Sequence, residues 1–234
     1  MTALHWLAFG DLDAGVWGMA WVPDDAAGHA ALGAGADLGV LEAELEAGDE
    51  RWRLSGEGLE LSVSGGEVDG LARAVGTITL GASERAIDSP GWRGVVADLP
   101  DTRELDSLRL LAAWFDDDEG LALLALRPRK ARGQESDVVT AVLIDAGEPR
   151  AVSDPRLSTT YDGEGVPARA GLELWVTEPS EDPGSAGERP HRVAGEAAGA
   201  PAGWTEGNLA IGAQPFRWHC RDRDGDGVYL LGRS

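Results

Sequence analysis

Cysteine and lysine are nearly missing from this chain. Cys220 stands alone among 234 residues, so no intrachain disulfide can form, no multi-cysteine metal cage exists, and an oxidising compartment is not required. Of the twenty basic residues only Lys130 is lysine, and 41 acids leave a formal charge of -21 with a pI near 4.4. A surface of that sign repels phosphate backbones and anionic membranes, which argues against nucleic acid and lipid headgroups as partners. Long apolar runs are also missing. No segment approaches the roughly 18 uninterrupted apolar residues of a membrane span, and Met1-Thr-Ala-Leu-His-Trp has no basic region leading into one. A soluble, cytoplasmic protein without a transmembrane segment is expected. There is no GxSxG elbow, no phosphate-binding GxxxxGK[ST] loop and no HExxH pair, and His5, His29, His191 and His219 are far apart, so no metal or cofactor is signalled.

Helical periodicity is a further absence. No stretch of twelve or more residues carries it, while turn residues recur every 8 to 12 residues or so, which predicts an all-β chain of barrels or sandwiches. The strongest element is Ser107–Arg127. Leu108, Leu110, Ala112 and Trp114 share one face of a strand and Leu111, Ala113 and Phe115 the other; Asp116–Gly120 is a turn, and Leu121–Leu126 returns apolar on both faces. A hairpin with two dry faces must be covered twice, by a second sheet, a second domain or a ligand.

Other strands follow from alternation and turn chemistry. His5–Phe9 and Val16–Val22 flank a turn-rich run, with Trp17, Met19 and Trp21 on one face. Pro23–Ala36 reads as a loop whose GAGADLG stretch lacks the βαβ setting of a dinucleotide site. Strands are predicted at 38–45, 51–54, 59–63, 71–80, 92–99, 138–144, 150–152, 156–161, 171–177, 191–196, 209–212, 215–221 and 228–231, with a loop at 179–187. A division near Pro100–Asp106 gives two β units, 1–104 and 105–234.

The blocks HWLAFGDLDAGVWGMAW, WFDDDEGLALLALRPR, DPRLSTTYDGEGVPARAGLELWV and WHCRDRDGDGVYLLGRS together resemble the carotenoid-hydratase and tocopherol-cyclase-like group. That resemblance covers most of the chain in order and implies two lipocalin-like antiparallel barrels in tandem. It also implies an isoprenoid substrate, with water addition, isomerisation or ring closure after an acid protonates a double bond.

The residues lend the idea some support. Nine tryptophans stand against three phenylalanines and two tyrosines, and indole faces stabilise cations. Trp6, Trp17, Trp21, Trp114 and Trp175 are the candidate walls of an apolar-ligand cavity, against the simpler role of filling gaps between curved sheets. Glu173 is the first candidate acid because it shares a strand face with Trp175, where desolvation would raise its pKa; pairing with an arginine such as Arg169 is the alternative. Asp13 is next, and Tyr161 could donate or orient. Cys220 lies on a face with Phe216 and Trp218, as a buried thiol, and Asp222, Asp224 and Asp226 resemble the opening of a calcium loop but lack its closing glutamate, which favours a hairpin turn. The rival function is a non-catalytic β-sandwich that dimerises or holds a partner on its apolar faces. A carbohydrate-binding module is a third.

Overall fold

The computed structural model describes residues 3–24, 26–65, 69–133, 137–177 and 187–234. Eight strands run up and down in chain order: β1 (Leu4–Asp11), β2 (Val16–Pro23), β3 (Gly28–Ala34), β4 (Asp37–Ala47), β5 (Arg51–Gly56), β6 (Leu59–Ser64), β7 (Gly70–Leu80) and β8 (Ser83–Val96). Each pairs antiparallel with the next, and β8 returns to β1 to close a barrel. Closure removes the free edges that would otherwise template aggregation. The lumen is filled by Leu7, Phe9, Leu32, Trp52, Leu54, Leu61 and Ile78. In β5 the alternation is plain: Trp52 and Leu54 point in, Arg51 and Arg53 point to water. β1 and β2 differ, being buried on both sides.

A 3₁₀ turn, Thr102–Glu104, leads to the second sheet: β9 (Leu105–Trp114), β10 (Gly120–Pro128), β11 (Val138–Asp145), β12 (Glu148–Arg150), β13 (Val152–Tyr161), β14 (Pro167–Thr177), β15 (Glu188–Ala197), β16 (Ala202–Glu206), β17 (Leu209–Cys220) and β18 (Arg223–Arg233). Its order is β12-β11-β10-β9-β18-β17-β15-β14-β13, with β16 paired to β17. Leu143 on β11 and Leu174 on β14 belong to one core with Leu111, Phe216, Trp218 and Tyr229. Strands at about 4.8 Å spacing can share a core across that many neighbours only if the sheet curls. The chain is therefore all-β, two antiparallel barrel-like sheets in tandem, as expected. Among the described residues no helix is long and apolar enough to cross a membrane.

The central hairpin is covered twice, once by each kind of neighbour. Leu111, Ala113 and Leu123 face the interior of their own curled sheet. Leu108, Leu110, Ala112 and Trp114 face outward onto Leu4, Trp6, Ala8, Trp17, Met19 and Trp21 of the first barrel, forming a third core between the two sheets. Trp114 seals that seam, its Nε1–H donating to the Gly10 carbonyl at 3.2 Å. At the rim, Asp226 accepts from the Leu12 backbone N–H at 2.8 Å and from Arg217 Nη1 at 2.9 Å.

Several strand boundaries correct the sequence reading. The glycine- and alanine-rich run 28–34, expected as loop, is β3; its low β propensity is overridden because small side chains let it lie against bulky neighbours, with Trp17 stacked where a Gly33 side chain would stand. β8 begins at Ser83, not Trp92, and runs through Pro90. Its β1 pairing starts at Gly91, so the proline sits where that side of the strand is an edge. Asp154-Pro155 likewise lies inside β13, an edge strand, rather than between two strands, and Pro215 inside β17. β16 was not expected at all. The loop expected at 179–187 lies, up to 186, outside the described residues.

Because Trp114 contributes both volume and a bridging hydrogen bond, two substitutions separate them. Trp114→Ala should cost about 3–5 kcal/mol in urea unfolding, and Trp114→Phe, which strands the Gly10 carbonyl while keeping most of the ring volume, about 1–3 kcal/mol. Equal costs would mean that the ring volume contributes nothing, and a Trp114→Phe protein as stable as the parent would mean the same of the hydrogen bond.

Candidate functional site

Two convex sheets that touch along a seam diverge at its edge, and here the divergence leaves an apolar cleft of about 420 Å³ between β1 and β8 on one side and β9, β10 and β11 on the other. Trp6 and Trp92 form its barrel wall with Val95 and Val96; Leu110, Leu124 and Val142 form the opposite wall. Phase explains who faces it: Trp6 lies on the outward face of β1, and Trp92 and Val96 on the outward face of β8.

Two carboxylates line this cleft, Asp98 at its exposed rim and Asp69 at its wall. Asp69 precedes β7 in a left-handed conformation (φ 66°) and accepts the Val95 backbone N–H at 2.9 Å. A side chain at Gly94 would stand 2.5 Å from Trp6 Nε1 and 2.6 Å from Asp69 Oδ1, so glycine there is what allows indole and carboxylate to crowd together. Burial raises the Asp69 pKa above the usual carboxylate value, partly offset by the Val95 hydrogen bond. The arrangement is a greasy slot with one desolvated acid, Asp69, at its wall.

The residues singled out from sequence do not converge on one place. Trp6 lines the cleft; Trp17, Trp21 and Trp114 lie in the seam beside it, each under a tenth exposed. Trp175 lies on the outward face of β14, half-buried and away from the seam, in register with Pro190 of β15. Glu173 shares that face, as its phase requires. It is paired with Arg192, whose Nη2 is 2.8 Å from Oε1, and with Arg156 at 3.9 Å, not with Arg169. Asp13 is exposed and pairs with Arg217 at the rim of the seam. Tyr161 ends β13 with the Arg233 guanidinium 4.2 Å above its ring. The structure therefore brings Trp6, Trp17, Trp21 and Trp114 together and leaves Glu173, Asp13, Tyr161 and Trp175 elsewhere.

Other expectations resolve locally. The GAGADLG stretch is the β3–β4 hairpin, with no helix to receive a phosphate. Asp222 sits at the β17–β18 turn, while Asp224 and Asp226 lie in β18 and are engaged by His219 and Arg217, so they do not converge as a calcium loop. Trp92 and Asp69 escaped the sequence reading. Trp92 carried a signal, since it alternates with Gly94 and Val96 in a predicted strand; Asp69 carried none, because only its backbone conformation turns it to the cleft.

No family model matches the sequence, and no curated protein does. Solved structures do: a Nitrosomonas europaea protein described as an ATTH superposes with a TM-score of 0.60 at 12% identity, over 99% of this chain and 92% of that one. At that identity the likeness establishes a shared fold over essentially the whole chain.

Asp69 gives the site a pH signature. Its raised folded-state pKa means that its contribution to stability is fully present below the unfolded value of 3.8 and is lost as pH rises through the raised native value. Asp69→Asn keeps the acceptor for Val95 and suits the left-handed backbone. The variant should match the parent at the acid end and exceed it in urea midpoint at neutral pH. Parallel midpoint-against-pH curves for the two proteins would contradict this.

Proposed function

We propose that the protein binds an apolar small molecule, isoprenoid or lipid-like, in the cleft between its two barrels. The observation that carries this reading is the pairing of an apolar, indole-walled slot with a single desolvated carboxylate: the walls supply binding energy at about 25 cal/mol per Å² of apolar surface removed from water, and Asp69 offers a polar end such as a hydroxyl a directional contact. The volume is at the small end of ligand sites, which favours a short isoprenoid or a single chain over a full-length carotenoid. The resemblance of four sequence blocks to the carotenoid-hydratase and tocopherol-cyclase-like group lends the isoprenoid class its support; the fold shared with the ATTH protein supports ligand binding only in general. A carboxyl whose pKa is raised by burial, in a cleft lined by Trp6 and Trp92, is also the kind of group that acid-initiated addition to a double bond would use. Self-association is the weaker reading, because the apolar outer faces of both sheets already cover each other within one chain.

Thr140 is exposed on the cleft rim, so filling it should spare the fold. Titration with farnesol, followed by tryptophan fluorescence, should give a saturable change in the parent and at least about tenfold weaker binding in Thr140→Phe, with unchanged thermal unfolding. Dodecanol measures the preference for a branched chain. No saturable change in the parent, or equal affinity in the variant, would end the proposal.

A further inference from the structure

The second sheet carries a polar cluster that the apolar cleft does not touch. Glu119 closes the β9–β10 turn, His191 lies on β15 and Cys220 ends β17, each less than a tenth exposed. Cys220 Sγ is 3.1 Å from His191 Nε2, and one ligating atom from each residue falls within 4.8 Å of the other two. We propose that Glu119, His191 and Cys220 bind a zinc ion, with a fourth position open to the neighbouring cleft.

Geometry and charge both favour this. Zinc bonds of about 2.0–2.3 Å place tetrahedral ligand atoms roughly 3.3–3.7 Å apart, so the observed spacings need only small side-chain adjustments. The cysteine Sγ, imidazole nitrogen and carboxylate oxygen set is the mixture that zinc takes, and magnesium and calcium, which prefer oxygen alone, do not. On binding, Cys220 gives its thiol proton to solvent as the sulfur–zinc bond forms. A thiolate, a carboxylate and a neutral imidazole then balance the ion's two positive charges, which suits a buried position better than separate unpaired charges would. Each ligand stands on a strand or a tight turn of a packed sheet. Arg223 holds Glu119 through Oε2 and also reaches Asp116 at 2.9 Å, acting as a positioning residue that leaves the other carboxylate oxygen for the ion.

The surroundings fit three protein ligands and an open position. His191 also lines a cleft of about 390 Å³ with Leu143, Asp145, Arg150 and Arg221. The charged groups on that side are Asp145 and three arginines, Arg150, Arg189 and Arg221; of these, Asp145 and Arg221 act on His191 and Cys220 with opposite signs. Burial raises the Cys220 thiol and lowers the His191 imidazole.

The test uses chelator-stripped full-length protein, incubated with zinc in excess magnesium to suppress weak binding to the acidic surface. One zinc should be retained per chain after desalting. Cobalt in its place should give the near-ultraviolet charge-transfer band of a cobalt–thiolate, which Cys220 alone can supply. Cys220→Ser should abolish the band and weaken zinc binding more than about 100-fold, and Arg223→Gln should weaken it about 10- to 100-fold. His219→Ala, which alters only the exposed His219–Asp224 pair, should change nothing. A parent protein that retains no zinc or shows no cobalt–thiolate band would overturn the proposal without reference to any variant. So would zinc binding lost with His219 rather than with Cys220.

Discussion

The structure depends on a sheet whose two faces are both withheld from water. β9 and its neighbour β18 present Leu111, Ala113, Tyr229 and Leu231 to their own curled interior, and Leu108, Leu110, Ala112, Val228 and Leu230 to the first barrel. A single barrel could not satisfy such strands, because its outer surface must meet solvent or a partner. The first barrel answers with the same pattern on β1 and β2, and the two outer faces become one core.

That seam explains the skewed aromatic content. Opposed convex surfaces leave wedge-shaped gaps, and indoles fill them: Trp17 over Gly33, Trp6 over Gly94, Trp114 across to Gly10. Where the wedge outgrows the side chains available, the apolar cleft begins. The candidate ligand site is thus a consequence of how two curved sheets meet rather than of a hollow in either one.

Polar chemistry is kept apart from this dry seam. The cysteine, histidine and glutamate gather at the second sheet, while most acids are solvated or paired with arginine, as Glu173 is with Arg192 and Asp226 with Arg217. Arginine's planar fork makes such pairings directional, and its near-exclusive use here in place of lysine fits a surface of many carboxylates.

Strand phase was readable from the sequence because side chains alternate strictly and apolar residues reveal which faces are dry. It placed Leu110 opposite Leu111, Trp17 with Trp21, and Cys220 with Phe216 and Trp218, and the absence of helical period made the chain all-β. It missed β3 and the first half of β8, where glycine, alanine and proline speak for a loop until neighbouring strands supply the packing. What alternation cannot say is what covers a dry face. Whether an indole meets a lumen, a ligand or another sheet, and whether residues at 119, 191 and 220 meet at all, is decided by the curl and pairing of strands far apart in the chain, since those contacts are set by tertiary closure and leave no local trace in residue order.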